Sequence, residues 1–167
     1  MSPASLGGGI VTVMKESDSD SYVKYADELT RFATGLIGPS DAEDVVVSAY
    51  VRCVASRRWP LIENRRAYLY RAVLNEARAT QRASIRRQLR ERRSAFREAV
   101  DVDIPRPEVL EAVKRLSLRQ RSVVFLTYWS DLDPASIGQL LNISDGTVRR
   151  HLARARARLK EVLDNDE

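Results

Sequence analysis

The sequence predicts an all-α protein built from two small helical domains, joined by a charged linker, with a helix-turn-helix at the end of the second domain. Apolar residues recur three or four positions apart in several separate segments, which is the spacing of one helix face. Capping residues precede several of these segments, and a charged stretch that includes Pro105 and Pro107 divides them into two groups. A length of 167 residues suffices for one ordinary domain or two small ones. We therefore expect a flexible leader at 1–18, a first domain at 19–87, a linker at 88–105 and a second domain at 106–167.

The first domain begins with two predicted helices. Apolar spacing starts near Tyr22, and Gly38-Pro39 ends the first helix. A second helix is predicted over 40–56, where Ser40 and Glu43 have the spacing of a capping box. A short turn therefore separates the two helices.

A long third helix is predicted after a loop at 57–63. This loop contains Trp59-Pro60, and a proline disfavours helix at the residue before it. Asn64 is in position to cap the helix that follows. Polar and basic residues recur along one side of that helix, and apolar residues occupy another. From Ser84 onward the chain is too rich in arginine to bury a wide apolar face, so we expect the linker to follow.

The second domain contains four predicted helices. Each is marked by apolar spacing or by a capping residue at its start. These marks are, in order, Leu110 with Val113 and Leu116, Ser117 with Gln120, Asp133-Pro134, and Asp145.

The distribution of charge along the chain indicates an anionic partner. The net charge is +5, but residues 1–50 hold 3 basic and 8 acidic side chains, 51–100 hold 14 and 4, and 101–167 hold 11 and 11. Of the 28 basic residues, 24 are arginine, whose planar guanidinium suits phosphate and base contacts. A GC-rich genome would also favour arginine over lysine, but it would not cluster the arginines in the middle of the chain.

Several classes of protein are excluded by composition. No apolar stretch is long enough for a membrane span, and the chain shows no secretion signal, so we expect a cytoplasmic protein. One cysteine, Cys53, and one histidine, His151, are too few for a zinc site of the usual spacing. Gly7-Gly8-Gly9 lacks the Lys-Ser or Lys-Thr of a phosphate-binding loop. We expect no metal, no cofactor and no catalytic activity.

The last two predicted helices have the spacing of a helix-turn-helix. Ser144 is in position to cap the final helix, and Gly146 permits close approach of a backbone or phosphate at its first turn. Thr147, Arg149 and Arg150 can then reach base edges in a major groove. The alternative is an amphipathic helix whose arginines are only solvated. His151 is interpreted as a neutral surface histidine rather than a groove contact.

The loop and the third helix of the first domain carry a second set of nucleic-acid features. Aromatic rings beside cations suit unpaired bases, because a base stacked on such a ring gains about 1 to 3 kcal/mol. Tyr68 and Tyr70 have a competing interpretation as core residues, which we favour for both.

The motifs together resemble those of a bacterial sigma-70 family sigma factor of the two-domain extracytoplasmic-function group. The residues that carry the resemblance are Asp41-Ala42-Glu43-Asp44-Val45-Val46, the run from Ala67 to Asn75, Leu116 to Arg121, and Ser144 to Arg149. The likeness spans about 21–87 and 104–163, with the motifs in the order of the family. Each motif alone is weak, since helix-turn-helix modules occur in unrelated regulators.

The resemblance implies a subunit that binds core RNA polymerase and promoter DNA, with an anti-sigma factor as a further candidate partner. The second domain would read the minus-thirty-five element through Ser144, Gly146, Thr147, Arg149, Arg150 and Arg154. The first would recognise and melt the minus-ten element, with a flipped base held by the loop from Trp59 to Asn64. Its minus-ten residues would be Trp59, Asn64, Tyr68, Arg71, Asn75, Arg78 and Arg82. The acidic second helix would dock on the largest polymerase subunit through Asp41, Glu43, Asp44 and Val45.

Two other function classes remain open on the sequence. A stand-alone transcriptional regulator would bind duplex DNA through the final helix-turn-helix without polymerase. An anti-sigma protein or polymerase inhibitor built on the same fold is disfavoured by the intact basic surfaces. DNA affinity in the absence of polymerase would distinguish the regulator from a sigma factor.

Overall fold

The computed structural model describes residues 17–92 and 107–164, and this part of the chain consists of helices and their connections without any strand. The helices are α1 (Asp18–Ile37), α2 (Pro39–Val54), α3 (Arg65–Arg92), α4 (Pro107–Lys114), α5 (Leu118–Tyr128), α6 (Pro134–Leu141) and α7 (Asp145–Asp164), with a 3₁₀ turn at Trp59–Leu61. The prediction of an all-α protein is confirmed. Most of the predicted leader, and the linker from 93 onward, lie outside the described residues.

Three predicted helix starts agree with the observed hydrogen bonds. The Oδ1 atom of Asn64 accepts from the amide of Ala67 at 2.9 Å and caps α3. Ser117 and Gln120 form the predicted capping box of α5. At α6, the side chain of Asp133 accepts from the amide of Ser136. Capping residues predict these starts well because the hydrogen bond is local.

The first two helices begin differently from the prediction. A capping box of Ser17 and Asp20 starts α1 at Asp18, ahead of the first apolar residues at Tyr22. The predicted capping box of Ser40 and Glu43 is wrong, because α2 begins at Pro39 with no side-chain cap. Gly38 turns the chain with φ of 89°, and proline then occupies the first helical position, where its missing amide costs no hydrogen bond.

The third helix extends further than the prediction. It continues five residues past the expected boundary at 87, to Arg92, and its last turns expose Ile85 and Leu89. Helix therefore forms here without a wide buried face. Arginine, glutamine and leucine have high helix propensity. Because the helix is already nucleated in the preceding residues, these residues can extend it.

Helices α1, α2 and α3 form the packed core of the first half. The apolar faces of the three helices meet in a cluster of buried side chains that includes Phe32, Val46 and Val73. At the edge of this core, two side chains of α3 are hydrogen-bonded to Glu28 of α1 and connect the two helices. Arg66 donates to both carboxylate oxygens of Glu28 at 2.9 Å, and the hydroxyl of Tyr70 donates to the same carboxylate. Burial, followed by the charge of Glu28, raises the pKa of Tyr70 to about 12.

Trp59 closes the first half from the loop side. Its indole is only 2% exposed, and its N–H donates to the carboxylate of Asp18 at 2.6 Å. The guanidinium of Arg65 lies 4.7 Å from the ring centroid, and Arg65 also donates to the buried hydroxyl of Ser21. The loop therefore folds inward onto the start of α1.

The second half packs directly against the first. Helix α5 contacts α1 and α3, α6 contacts α3, and α7 packs on α4, α5 and α6. The ring of Phe125 lies 5.9 Å from that of Phe32, and the apolar cluster continues across the two halves. We call this contact between α1 and α3 on one side and α5 and α6 on the other the seam.

Arg121 of α5 connects the ends of two other helices at the seam. Its guanidinium donates to the carbonyl oxygen of Leu36 at the end of α1 and to those of Val113 and Lys114 at the end of α4. The carbonyls at a helix end lack partners within the helix and carry partial negative charge, so a buried arginine satisfies them. Burial also lowers the pKa of Arg121 below its ordinary value, because the charged form has lost water.

The burial of Trp59 generates a stability prediction. We expect Trp59→Ala to lower the free energy of unfolding by about 3 to 5 kcal/mol, because it removes a buried ring together with its hydrogen bond. Urea denaturation followed by circular dichroism measures this change. Trp129→Ala is the matched control, since that ring is 78% exposed and its loss should change stability by about 0.5 kcal/mol or less. Equal effects of the two variants would contradict the core position of Trp59.

Candidate nucleic-acid and partner-binding surfaces

The turn between α6 and α7 has the geometry of a helix-turn-helix. Asn142 adopts the left-handed conformation, with φ of 55°, and the amide of Ile143 donates to the carbonyl of Gly138 at 2.9 Å. A Cβ atom at Gly138 would lie 2.6 Å from the carbonyl oxygen of Ile143, so only glycine fits this crossing. Gly138 was not among the residues predicted from the sequence. At Gly146, where close approach of a backbone or phosphate is predicted, a Cβ atom would meet nothing nearer than 4.0 Å.

Two predicted residues organise the start of α7. The Oγ atom of Ser144 accepts from the amide of Thr147 at 3.1 Å, which is the predicted cap, and lies 2.8 Å from the hydroxyl of Thr147. The amide of Gly146 donates to the Oδ1 atom of Asp145. Both of these amides therefore already donate to side chains, and a phosphate at this helix end would have to displace those side chains. The arginine side chains are more accessible hydrogen-bond donors.

Arginines cover the exposed surface of α7. Val148, Leu152 and Ala155 are buried against the other helices, which leaves the basic side chains in solvent. The exposed residues are Arg149, Arg150, Arg154, Arg156 and Arg158. Arg149 lies 3.7 Å from the carboxylate of its neighbour Asp145, with both side chains exposed.

His151 lies between these arginines and the seam. Partial burial lowers its pKa below the ordinary value, and the nearby charges of Arg119, Arg154 and Arg150 lower it further. The lowered pKa favours the neutral imidazole, which agrees with the interpretation of His151 as a neutral surface histidine. A neutral ring adds no charge to the basic surface.

The predicted minus-ten residues on the basic side of α3 differ in their exposure to solvent. Asn75 and Arg82 are exposed, whereas Tyr68, Arg71 and Arg78 are half-buried. Burial lowers the pKa of Arg78, and the charges of Arg119 and Arg82 act in the same direction. Tyr70 is buried, which agrees with its interpretation as a core residue.

A recess of about 330 Å³ lies between α2 and α3 beside these residues. Its walls combine an aromatic ring, an amide and charged groups, which together can stack on a base and bond to its edge. The lining residues are Ala49, Arg52, Cys53, Tyr68, Arg71, Ala72, Asn75 and Glu76. Glu76 is paired with Arg52 at 2.9 Å, so the carboxylate does not present an unbalanced negative charge to a strand. The thiol of Cys53 is buried, and burial raises its pKa to about 11.

The predicted base pocket in the loop at 57–64 requires correction. The indole of Trp59 faces the core and cannot stack on a base from this position. Asn64 is exposed, but its side-chain oxygen is engaged in the cap of α3. Three of the predicted minus-ten residues, Tyr68, Arg71 and Asn75, line the recess instead.

The acidic surface of α2 keeps three of its four predicted residues. Asp41, Glu43 and Asp44 are exposed. Val45 is 2% exposed within the core, so it cannot contact a partner directly. Val47 and Val51 were not among the predicted residues. They are exposed at three and seven positions after Asp44 and therefore lie on its side of the helix. The spacing of these two valines from Asp44 could have identified them from the sequence.

No cluster of metal-ligating side chains and no helix suited to crossing a membrane occurs within residues 17–92 and 107–164.

Residues 106–159 match the family described as Sigma-70, region 4. The chain is 35% identical over 155 residues to the RNA polymerase sigma-E factor of Streptomyces coelicolor, which covers 86% of this chain and 85% of that protein. It is 34% identical over 157 residues to the RNA polymerase sigma-E factor of Streptomyces avermitilis, covering 87% and 85%.

A solved structure shows a similar fold. It is the sigma factor RpoE of Bartonella quintana in a co-crystal with the anti-sigma factor NepR, with a TM-score of 0.63 and 23% sequence identity. The match covers 89% of this chain and 98% of that one.

The close crossing at Gly138 generates a second prediction. We expect Gly138→Ala to destabilise the second half by about 1 to 3 kcal/mol, because the added methyl meets a backbone carbonyl that cannot move without distorting the turn. Thermal unfolding measures the loss. Gly146→Ala serves as the control and should be neutral or slightly stabilising, since alanine is a better helix former than glycine. If both variants melt alike, the crossing at Gly138 is not required for the turn.

Proposed function

The chain belongs to the extracytoplasmic-function group of sigma-70 family RNA polymerase sigma factors, and from this we propose that it binds core RNA polymerase and directs initiation at specific promoters. It acts as a non-enzymatic subunit in the cytoplasm, where its polymerase and promoter are. The observation that carries the proposal is that one chain presents two separate basic helix faces, on α3 and α7, together with an acidic face on α2. Two DNA elements and one protein partner require three such surfaces.

We assign the minus-thirty-five element to the second half, comprising residues 106–167. Helix α7 enters the major groove, where Arg149, Arg150 and Arg154 are the exposed donors for bases and phosphates. Ser144 and Thr147 hold the start of the helix and can add phosphate contacts. Because Asp145 lies beside Arg149, we expect Arg150 to be the stronger base reader.

We assign the minus-ten element to the first half, comprising residues 19–87. The recess between α2 and α3 is large enough for one extruded base, with Tyr68 as its ring and Asn75 as its reader. Arg71, Arg78 and Arg82 continue along α3 and neutralise the phosphates of the melted strand.

We assign polymerase binding to α2. Asp41, Glu43 and Asp44 supply negative charge, and the exposed Val47 and Val51 supply apolar contact area beside it. An apolar centre with charged residues around it is the usual composition of a protein interface.

An anti-sigma factor is a further proposed partner. Support comes from the fold of the Bartonella quintana sigma factor, which was solved in complex with one. The alternative of a stand-alone regulator lacks a specific observation in its favour, since the acidic face of α2 would then have no partner.

Transcription with purified core polymerase tests the proposed function. We expect the wild-type chain to support initiation from members of a promoter library, and Asp44→Arg to reduce both polymerase pull-down and transcription by about tenfold, because it reverses charge at the docking surface. Asp44 is exposed, so the helical circular-dichroism signal should not change. Glu161→Arg on the exposed side of α7 is the matched charge reversal that should leave pull-down unchanged. Specific DNA binding by the chain without polymerase would support the regulator instead.

Substitutions in α7 test the duplex-reading surface. We expect Arg150→Ala to weaken recognition of the upstream element by about 1 to 3 kcal/mol, and Arg149→Ala to cost less, because Asp145 already competes for that guanidinium. Footprinting of the holoenzyme at several salt concentrations separates base contacts from phosphate contacts. Arg158→Ala, near the far end of the helix, is the control. Unchanged protection with both variants would remove this helix from promoter recognition.

A further inference from the structure

Basic side chains from three helices converge where α5 contacts both α3 and α7. Arg78 and Arg82 are four residues apart and therefore lie on the same side of α3. Arg119 of α5 is near Arg78, and it is also near His151 of α7. We call Arg78, Arg82, Arg119 and His151 the basic cluster.

Three members of the basic cluster are partly withdrawn from water. Arg78, Arg119 and His151 are half-buried, whereas Arg82 is exposed. Burial lowers the pKa of Arg78 and of His151 because their charged forms have lost part of their hydration, and the neighbouring positive charges lower both further. The fold therefore brings like charges together in a place where water compensates them only in part.

No acidic side chain in the described part of the chain balances this charge. The ion pairs found within residues 17–92 and 107–164 involve other side chains. Arg119 also lies in the first turn of α5, where the helix dipole adds positive potential. Arg121, by contrast, is compensated by carbonyl oxygens at helix ends. The basic cluster thus has the electrostatic character of a site for an anion.

The side chains of the cluster are suited to phosphate. A guanidinium donates two parallel hydrogen bonds to a phosphate, and an imidazole can add a further N–H donor. One phosphate monoester carries a charge of about −1.5 to −2 at pH 7, so two linked phosphates are needed to balance the arginines of the cluster. Because most of these side chains are half-buried between packed helices, a compact anion can contact them together more readily than a continuous nucleic-acid strand can.

We propose that the basic cluster is a binding site for a small anion that contains two linked phosphate groups, either free pyrophosphate or the diphosphate group of a nucleotide. The anion bonds to Arg78, Arg82 and Arg119 and accepts a hydrogen bond from His151. Arg78 and Arg82 also belong to the surface that we assign to the melted strand, whereas Arg119 and His151 do not. Binding is a property of the free chain and does not depend on the proposed function.

His151 reports binding directly, because it is the one histidine of the chain. An NMR pH titration of the full chain in a phosphate-free buffer measures its pKa. We expect pyrophosphate to raise this pKa toward the ordinary value of a histidine, because a nearby negative charge stabilises the imidazolium. Sodium chloride at equal ionic strength is the control for screening and should raise the pKa less.

Isothermal titration calorimetry with pyrophosphate tests the arginines. We expect Arg119→Gln to weaken binding by about tenfold, because it removes a charge-assisted contact. Loss of this positive charge relieves repulsion, so the variant should melt at the temperature of the wild type or above it. Arg82→Gln changes an exposed side chain and should weaken binding by a similar factor. Arg158→Gln, at an exposed position of α7, is the matched control and should bind as the wild type does.

A comparison of ligands distinguishes the two sources of the diphosphate group. Equal affinity for pyrophosphate and ADP would show that the diphosphate group suffices, and tighter binding of ADP would show that the nucleoside contributes. Inorganic phosphate should bind at least about tenfold more weakly than pyrophosphate, because it supplies half of the charge.

Three results would overturn the proposal. The first is an equal change in the pKa of His151 with pyrophosphate and with sodium chloride, which would indicate screening alone. The second is an affinity of Arg119→Gln and Arg82→Gln for pyrophosphate that equals that of the wild type. The third is a rise in the pKa of His151 with a single-stranded oligonucleotide but not with pyrophosphate, which would assign the basic cluster to nucleic acid instead.

Discussion

The guanidinium of Arg121 is the interaction on which the arrangement of the two halves depends. It donates to three carbonyl oxygens at the ends of α1 and α4, those of Leu36, Val113 and Lys114. Among residues 17–92 and 107–164 no carboxylate is paired with it, so the negative ends of two helix dipoles provide the compensation for a buried charge. Through this one side chain, α4, α5 and the end of α1 have fixed positions, and Phe125 reaches the space beside Gly35.

The charges of the chain are separated by helix rather than mixed. Acidic side chains lie on the exposed face of α2, and arginines lie on α3 and α7. Opposite charges meet in pairs: Arg66 with Glu28 and Arg52 with Glu76 connect helices of the first half, and Arg149 lies beside Asp145 within α7. The exposed arginines of α3 and α7 direct their field toward an anionic partner.

The loop at 57–64 illustrates how packing decides between two roles of the same residue. An indole beside cations can stack on a base or fill a core, and no local sequence pattern distinguishes these two roles. In the folded chain, Asp18 offers a hydrogen bond to the indole N–H and Arg65 covers the ring, so burial is favoured. We therefore propose the recess as the base-binding position, because the ring of Tyr68 is half-buried there and Asn75 is exposed.

The sequence by itself determined the helical class, most helix starts and the exposure of arginines on α7, because these depend on spacing and on hydrogen bonds within a few residues. It also determined the neutral state expected for His151 and the cap at Asn64. Only the tertiary structure decided that Trp59 and Val45 are buried, that Glu76 is paired with Arg52, and that Gly138 permits the close turn. The seam was equally invisible to local patterns, since Gly35 and Phe125 are ninety positions apart and their fit depends on how whole helices pack.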